Sequence, residues 1–362
     1  MSWPSWLPLR SDLAELSPYG APQIEVPVRL NTNENPYGLS DELQEELREE
    51  IARSLKDLNR YPDRDALKLR AALANLINES NGTDFKSESI WVANGSNEII
   101  QTVLLAFEGD ALGFEPSYSM HPVISKVVGK NWISIPRDEN FEIRDLQLQK
   151  AIAANTVKII FVTTPNNPTG TSTTLETISK IAEALATRSG LVLVDEAYAE
   201  FSKAESAVTL LEKYPNIMVS RTMSKAFAFA GARLGYLIAH PKVIDALQLV
   251  RLPYHLSSLT QAAALAAVRK QKALHRDVER LSQAREEVAS ELRALGLKTY
   301  PSEANFLLIS GFDATSESIW KQMLEHGVLI RDVGIPGHLR VTIGTSAENR
   351  AFLDALSKVV RG

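Results

Sequence analysis

The chain has 362 residues, no cysteine and a net charge of −5, with 44% hydrophobic and 23% charged residues. This is the composition of an ordinary globular protein, long enough for one large domain and a smaller one. It excludes disulfides, thiol nucleophiles and cysteine-bound metals, and it offers no basic block for a nucleic-acid partner.

The first residues, "MSWPSWLPLRSDLAEL", lack a charged stretch followed by an apolar one, and no apolar run is long enough to span a bilayer. A soluble, cytoplasmic protein without a membrane partner is expected. The sequons at Asn78, Asn81 and Asn94 are then chance matches. The segment ending near "RLNTNENPYG" is irregular and rich in Asn and Pro, and reads as an arm or as part of the smaller domain.

"SIWVANG" reads as a strand, and "SNEIIQTVLLAFEG" follows with Ile99, Ile100, Val103 and Leu104 at helical spacing. Further strands are expected at "ALGFEP", "VKIIFVTTP", "GLVLVDEAY", "NIMVSRT" and "GYLIAH", with a helix at "LETISKIAEALATRSG". "KIIFV" and "LVLVD" are almost wholly apolar, the pattern of parallel strands covered on both faces. This predicts an α/β domain with a mostly parallel sheet. From about Arg251 the pattern changes. A helical stretch over 257–296 is followed by strand ("NFLLIS"), helix ("SESIWKQMLEHG"), strands ("GVLIRD", "LRVTIGT") and a last helix ("AENRAFLDALSKVV"), a smaller α+β unit.

In open α/β sheets ligands bind at the carboxyl ends of the strands, and the polar residues collect there. "VANGSNE" places Ser96 and Asn97 as N-caps of a helix whose first amides suit an anion. "TTPNNPTG" presents Asn167 on a rigid loop, and "LVLVDEAYAEF" ends a buried strand on Asp195 with Tyr198 three residues on. "SRTMSKAFAFAGARLGY" sets Lys225 beside Ser224 among small apolar residues, with Arg233 eight positions on. Each alone also reads as a cap, a turn or a solitary buried group. Together they suit pyridoxal 5′-phosphate, which needs a Schiff-base lysine, an acidic partner for its ring nitrogen, donors for its phenolic oxygen and an anion site. No Walker A, G-x-G-x-x-G, H-E-x-x-H or G-x-S-x-G motif competes. None of the six histidines forms a metal-ligand cluster; His121 and His255 are read as structural or surface residues.

The ordered set "NRYPD", "NGSNE", "PSYSMH", "TTPNNPTG", "VDEAYAEF", "SRTMSKAFAFAGARLGY", "PSEANF" and "LRVTIGT" resembles the fold-type I aminotransferases. More narrowly it resembles the histidinol-phosphate aminotransferases, through "LNTNENPYG", "RYPD", "LVRLPYHLS" and "GVLIRD". The resemblance implies a large pyridoxal-phosphate-binding α/β domain over 36–251 with a seven-stranded, mostly parallel sheet. It implies that 1–35 joins 252–362 as an N-terminal arm and small α+β domain. Lys225 is then the Schiff-base lysine, Asp195 faces the pyridine nitrogen, and Tyr198 and Asn167 bond the phenolic oxygen. Tyr118 stacks on the ring. Ser96, Asn97, Ser224 and Arg233 hold the phosphate with Thr222 nearby, and Tyr61 reaches it from a second subunit of a homodimer with shared sites. Arg340 takes the substrate carboxylate with Asn305 nearby, and Tyr19, Tyr254 and Arg331 meet the substrate's phosphate-bearing end. The implied reaction passes an amino group from L-histidinol phosphate to 2-oxoglutarate, forming glutamate. Aromatic-amino-acid aminotransferases share "NENP", "RYPD" and "NNPTG"; the Tyr-His pair of "LVRLPYHLS" favours a phosphate tail. The same residues would also suit an amino-acid-phosphate decarboxylase, and the same fold could serve a cofactor-free binding protein.

Overall fold

The computed structural model describes residues 3–361 apart from 15, 19, 154 and 155. Its strands are β1 (Val28–Arg29), β2 (Ile90–Ala93), β3 (Asp110–Glu115), β4 (Trp132–Pro136), β5 (Val157–Thr163), β6 (Leu191–Asp195), β7 (Ile217–Thr222), β8 (Gly235–Ala239), β9 (Lys298–Thr299), β10 (Phe306–Ser310), β11 (Val328–Leu329), β12 (Arg331–Asp332) and β13 (His338–Thr342). The α-helices are α1 (Asp41–Leu55), α2 (Leu67–Asn81), α3 (Ser96–Ala106), α4 (Met120–Val127), α5 (Asp145–Ala153), α6 (Leu175–Ala186), α7 (Pro241–Leu247), α8 (Ser258–Arg269), α9 (Gln271–Ala294), α10 (Ser316–Glu325) and α11 (Ser346–Arg361).

Seven strands form the large sheet in the order β2-β8-β7-β6-β5-β3-β4. Only β8 runs against its neighbours, pairing antiparallel with both β2 and β7. The apolar runs of β5 and β6 are buried along almost their whole length, as strands covered by helices on both faces must be. A second sheet, β12-β13-β10-β9, is antiparallel. The irregular N-terminal segment joins this side of the molecule, because β1 pairs with β11.

Three sequence expectations need correction. The helical stretch 257–296 is two helices that meet at Lys270, whose φ of −104° and ψ of 18° leave the helical region. No Gly or Pro marks the break, so the apolar pattern runs through it. "GVLIRD" is divided: Val328–Leu329 pairs with β1, whereas Arg331–Asp332 pairs with β13. The cap of α3 is Gly95, at φ 77°, with no side-chain hydrogen bond; Ser96 is already the first helical residue. A glycine fits because the backbone turns there through the left-handed region. The amide end of the helix is thereby left without a capping side chain.

Gly235 explains how close that turn lies to the sheet. A Cβ at this position would stand 2.5 Å from the Gly95 carbonyl carbon and 2.6 Å from the Ser96 nitrogen. Backbone cannot yield as a flexible side chain can. Gly235→Ala is therefore expected to cost about 1–3 kcal/mol by prising α3 from β8, read as a lowered unfolding midpoint. Gly231→Ala, where an added Cβ meets nothing within 4 Å, should stay within about 0.5 kcal/mol.

Candidate active site

The carboxyl ends of β5, β6 and β7, the start of α3 and the strand β13 converge on a cavity of about 520 Å³. Among its walls are Ser96, Asn97, Tyr118, Asn167, Asp195, Tyr198, Thr222, Ser224, Lys225, Arg233, Arg331 and Arg340. Twelve of the sixteen residues singled out from the sequence thus line one space, although they come from positions 96 to 340. Asn305, Tyr61 and Tyr254 do not line it, and Tyr19 lies outside the described residues.

Strand alternation places the acid. Asp195 and Ser220 are partners across β6 and β7, so their side chains share one face. Ser220 Oγ donates to Asp195 Oδ1 at 3.1 Å. On the other oxygen, His121 Nε2 stands 3.2 Å from Asp195 Oδ2. Both residues are buried. This corrects the sequence reading of His121 as merely structural: it is the acid's direct neighbour, brought by α4. Asp195 is accordingly not a helix cap. His255 keeps the structural role, with Nε2 2.9 Å from the Val92 carbonyl and its ring stacked on Trp91.

The lysine occupies the middle of the cavity. Lys225 Nζ donates to the Thr32 carbonyl at 2.9 Å. Burial first, and then the Arg340 and Arg233 cations, push its ammonium down to about 8; Glu34 opposes them. At one end Arg233, itself at φ 55°, donates from Nη1 to Ser224 Oγ at 3.3 Å. A Cβ on Gly95 would stand 2.6 Å from Arg233 Nη2. The glycine therefore leaves room for the guanidinium beside the first turn of α3. Thr222 Oγ1 bonds Ser224 Oγ at 3.0 Å, completing a cluster of hydroxyls, amides and one cation. Tyr118 closes the wall, its hydroxyl donating to Asn97 Oδ1 at 3.0 Å.

At the other end Arg340, buried on β13, donates from Nη1 to Asn167 Oδ1 at 2.5 Å and from Nη2 to the Asn31 carbonyl at 2.7 Å. Asn305 lies beneath, with Nδ2 donating to the Asn33 carbonyl at 3.1 Å and Oδ1 buried without a hydrogen-bond partner. Tyr61 and Tyr254 stand on the outer surface, 80% and 41% exposed, with rings stacked 4.3 Å apart.

Sequence reasoning missed the segment 31–35 as part of the site. Asn31 and Asn33 are almost fully buried, and the segment meets Lys225, Tyr198, Asn305 and Arg340. The signal was present as a run of asparagines in "NTNEN", each able to satisfy buried backbone. Among the described residues no group of three His, Asp or Glu could hold a metal ion.

The residues present fit the pyridoxal phosphate that the sequence implies. An amine of lowered basicity stands between a cradle of glycine, helix start and arginine on one side and a buried acid on another. Because the neutral amine is the nucleophile, an aldehyde trapped by borohydride on the cofactor-free protein should label Lys225 increasingly as pH rises through about 8. A surface lysine would need to approach its ordinary 10.5. Arg340→Met removes a cation that holds the ammonium down, so the midpoint, read by peptide mass mapping across pH, should move upward.

The family model for aminotransferase class I and II matches residues 25–356. The histidinol-phosphate aminotransferase of Mycobacterium sp. (strain JLS) is 50% identical over 358 residues, 98% of this chain and 94% of that protein. That of Nocardia farcinica is 52% identical over 351 residues, 96% of this chain and 90% of that protein. Among solved structures, the histidinol-phosphate aminotransferase of Sinorhizobium meliloti in complex with pyridoxal-5′-phosphate shares the fold at a TM-score of 0.85. It is 24% identical, with 98% of each chain covered. Aspartate aminotransferase from Thermus thermophilus aligns at a TM-score of 0.80 and 24% identity over 92% of this chain and 91% of that one. The chain belongs to the class I and II aminotransferases.

Proposed function

We propose that the protein is a pyridoxal-phosphate-dependent transaminase that passes the amino group of L-histidinol phosphate to 2-oxoglutarate, giving imidazole acetol phosphate and L-glutamate. The observation that carries this reading is the placement of Lys225 Nζ between two cationic ends of one cavity, Arg233 on one side and Arg340 with Arg331 on the other. The half-identical relatives supply the substrate. One end suits the cofactor's phosphate and the other an anionic substrate, because guanidinium forks match both phosphate and carboxylate.

When bound, the cofactor supplies a ring that takes up the electron pair left on the substrate when its Cα–H bond breaks. Lys225 would hold the cofactor through Nζ, and its free amine is the base placed to take the Cα proton and return it. Asp195, held by Ser220 and His121, would present its carboxyl group to the ring nitrogen. Tyr198 and Asn167 would bond the phenolic oxygen, and Tyr118 would flank the ring. Ser96, Asn97, Thr222, Ser224 and Arg233 hold the phosphate. Arg340 binds the substrate carboxylate above Asn305, and Arg331 meets the substrate phosphate.

The working assembly in this reading is a cytoplasmic homodimer. Tyr61, with Tyr254 stacked on it and Leu249 and Leu252 exposed at 85% and 72%, belongs to an apolar outer patch suited to a second copy. Across that contact Tyr61 reaches the phosphate site of the second copy. Within each subunit, 36–251 forms the cofactor domain and 1–35 with 252–362 the arm and small domain.

Lys225→Ala is expected to abolish amino transfer and the visible absorbance that pyridoxal phosphate gives the wild type; a variant that keeps both contradicts the central role. With 2-oxoglutarate as acceptor, kcat/KM should favour histidinol phosphate over phenylalanine by roughly 10-fold or more, and the reverse order overturns the substrate assignment. Arg331→Gln should raise KM for histidinol phosphate by roughly 10-fold and move that for glutamate less. Mixed dimers of Tyr61→Ala and Lys225→Ala subunits should recover activity only if the sites are shared.

A further inference from the structure

The loops that carry Asn167 and Tyr198 leave the large sheet after β5 and β6. Both meet one turn, 301–305, which leads into β10 of the antiparallel sheet. Gly170 lies on the Asn167 loop at φ 81°, and its carbonyl accepts from the Glu303 N–H at 2.9 Å. A Cβ on Gly170 would stand 2.6 Å from Ser302 Cβ and 2.9 Å from Ser302 Cα. The two backbones therefore touch at this point.

The Glu303 side chain fastens the same seam. Its Oε2 accepts from Ser172 Oγ, on the Asn167 loop, at 3.0 Å, and from Ser202 Oγ, on the loop after β6. Burial works to raise this carboxyl, but the Ser202 and Ser172 hydroxyls, with the Ala204 amide and the Arg285 cation, hold it below the usual carboxylate range. Glu303 is thus ionised at neutral pH. An ionised carboxylate only accepts, so both serines donate. The turn it holds continues into β10, where Leu308 is the cross-strand partner of Arg340 on β13. The place of Arg340 at the cavity is therefore set through this seam. That place has a cost. Lys225 is faced by Arg340, Glu34 and Arg233, and Arg340 is the charge that bears on it most. Two like charges in range push each other apart, and of these three groups only Arg340 stands on the antiparallel sheet.

We propose that Glu303 is a positioning residue that clasps the loops after β5 and β6 to turn 301–305, and so holds Arg340 within range of Lys225 and Asn167 against the repulsion between the two cations.

The test takes two readouts on the full-length protein. In the first, acetaldehyde and borohydride label Lys225 across pH without cofactor, and peptide mass mapping gives the midpoint. Glu303→Gln keeps the shape but loses the charge that both hydroxyls need, so Arg340 can draw back. It should raise the midpoint by about half a unit. Ser172→Ala combined with Ser202→Ala removes both donors and should move the midpoint the same way; it serves where Glu303→Gln does not fold. In an Arg340→Met background Glu303→Gln should keep less than about half of its shift, because the charge it acts through is gone. In the second readout, with pyridoxal phosphate loaded, Glu303→Gln should raise KM for glutamate roughly 5-fold and lower kcat less than about 2-fold. This second readout rests on the reading that Arg340 takes the substrate carboxylate; the labelling does not. A midpoint unchanged by Glu303→Gln and by the paired serine variant, or a shift just as large without Arg340, overturns the inference. A wild type whose Lys225 labels only near the ordinary 10.5 overturns it as well. An unchanged KM beside a shifted midpoint overturns the carboxylate reading and supports the clasp.

Discussion

Everything in the site is arranged around the cost of burying one amine. Lys225 is drawn out of water with two arginines in range, and desolvation and like charge both work against its proton. One backbone carbonyl, from Thr32, is its hydrogen-bond acceptor. An ammonium so placed is easily made neutral, which is the state a Schiff-base lysine needs before it can react. The charges that disfavour its proton are the same two guanidiniums that the cavity needs for anions. One electrostatic arrangement thus lowers the basicity of the amine and sets a cation at each end of the cavity.

Holding several polar groups at strand ends requires support on the reverse face of the sheet. Side chains alternate, so where Asp195 lines the cavity with Ser220 bonded beside it, Glu196 and Arg221 point to the other face. These two form a buried ion pair, with Arg221 Nη2 2.9 Å from Glu196 Oε2, and Ser206 donates to the same oxygen at 2.7 Å. Breaking such a pair leaves an uncompensated buried charge, so β6 and β7 are tied together directly behind the acid. Arg137 does comparable work at the next strands through backbone carbonyls. It donates to the carbonyls of Phe114 and Phe141 at 3.2 and 3.1 Å, and burial lowers it to about 9.

The parts of this design that were legible in the sequence are those where one short stretch holds both a strand and its functional residue. Apolar runs ending in Asp195, Asn167 or Lys225 announce a parallel sheet and its ligand edge together. What was hidden depends on pairs far apart in the chain. His121 reaches Asp195 across 74 positions, and Asn31 reaches Arg340 across 309. The asparagine-rich segment carries no periodicity, since its task is to satisfy buried backbone and side-chain donors rather than to form an element. The break at Lys270 was hidden for a related reason: the helices on both sides keep one amphipathic face, so the apolar pattern does not register the bend.

The same long-range contacts bear on how the two sheets act together. Arg340 belongs to the antiparallel sheet but donates to Asn167 of the large-sheet loop and to Asn31 of the arm. Thr342, on the same strand, is hydrogen-bonded to Asn33, which in turn meets Tyr198 of the large-sheet side. An anion drawn in by Arg340 meets a guanidinium that already donates to Asn167 and the Asn31 carbonyl. A carboxylate or phosphate bound there places its own charge within the field that already disfavours the Lys225 proton. That added negative charge favours the protonated amine. Anion binding at Arg340 and proton affinity at the lysine are therefore coupled through one guanidinium, and a site built this way holds Lys225 more basic when an anion is bound than when it is not.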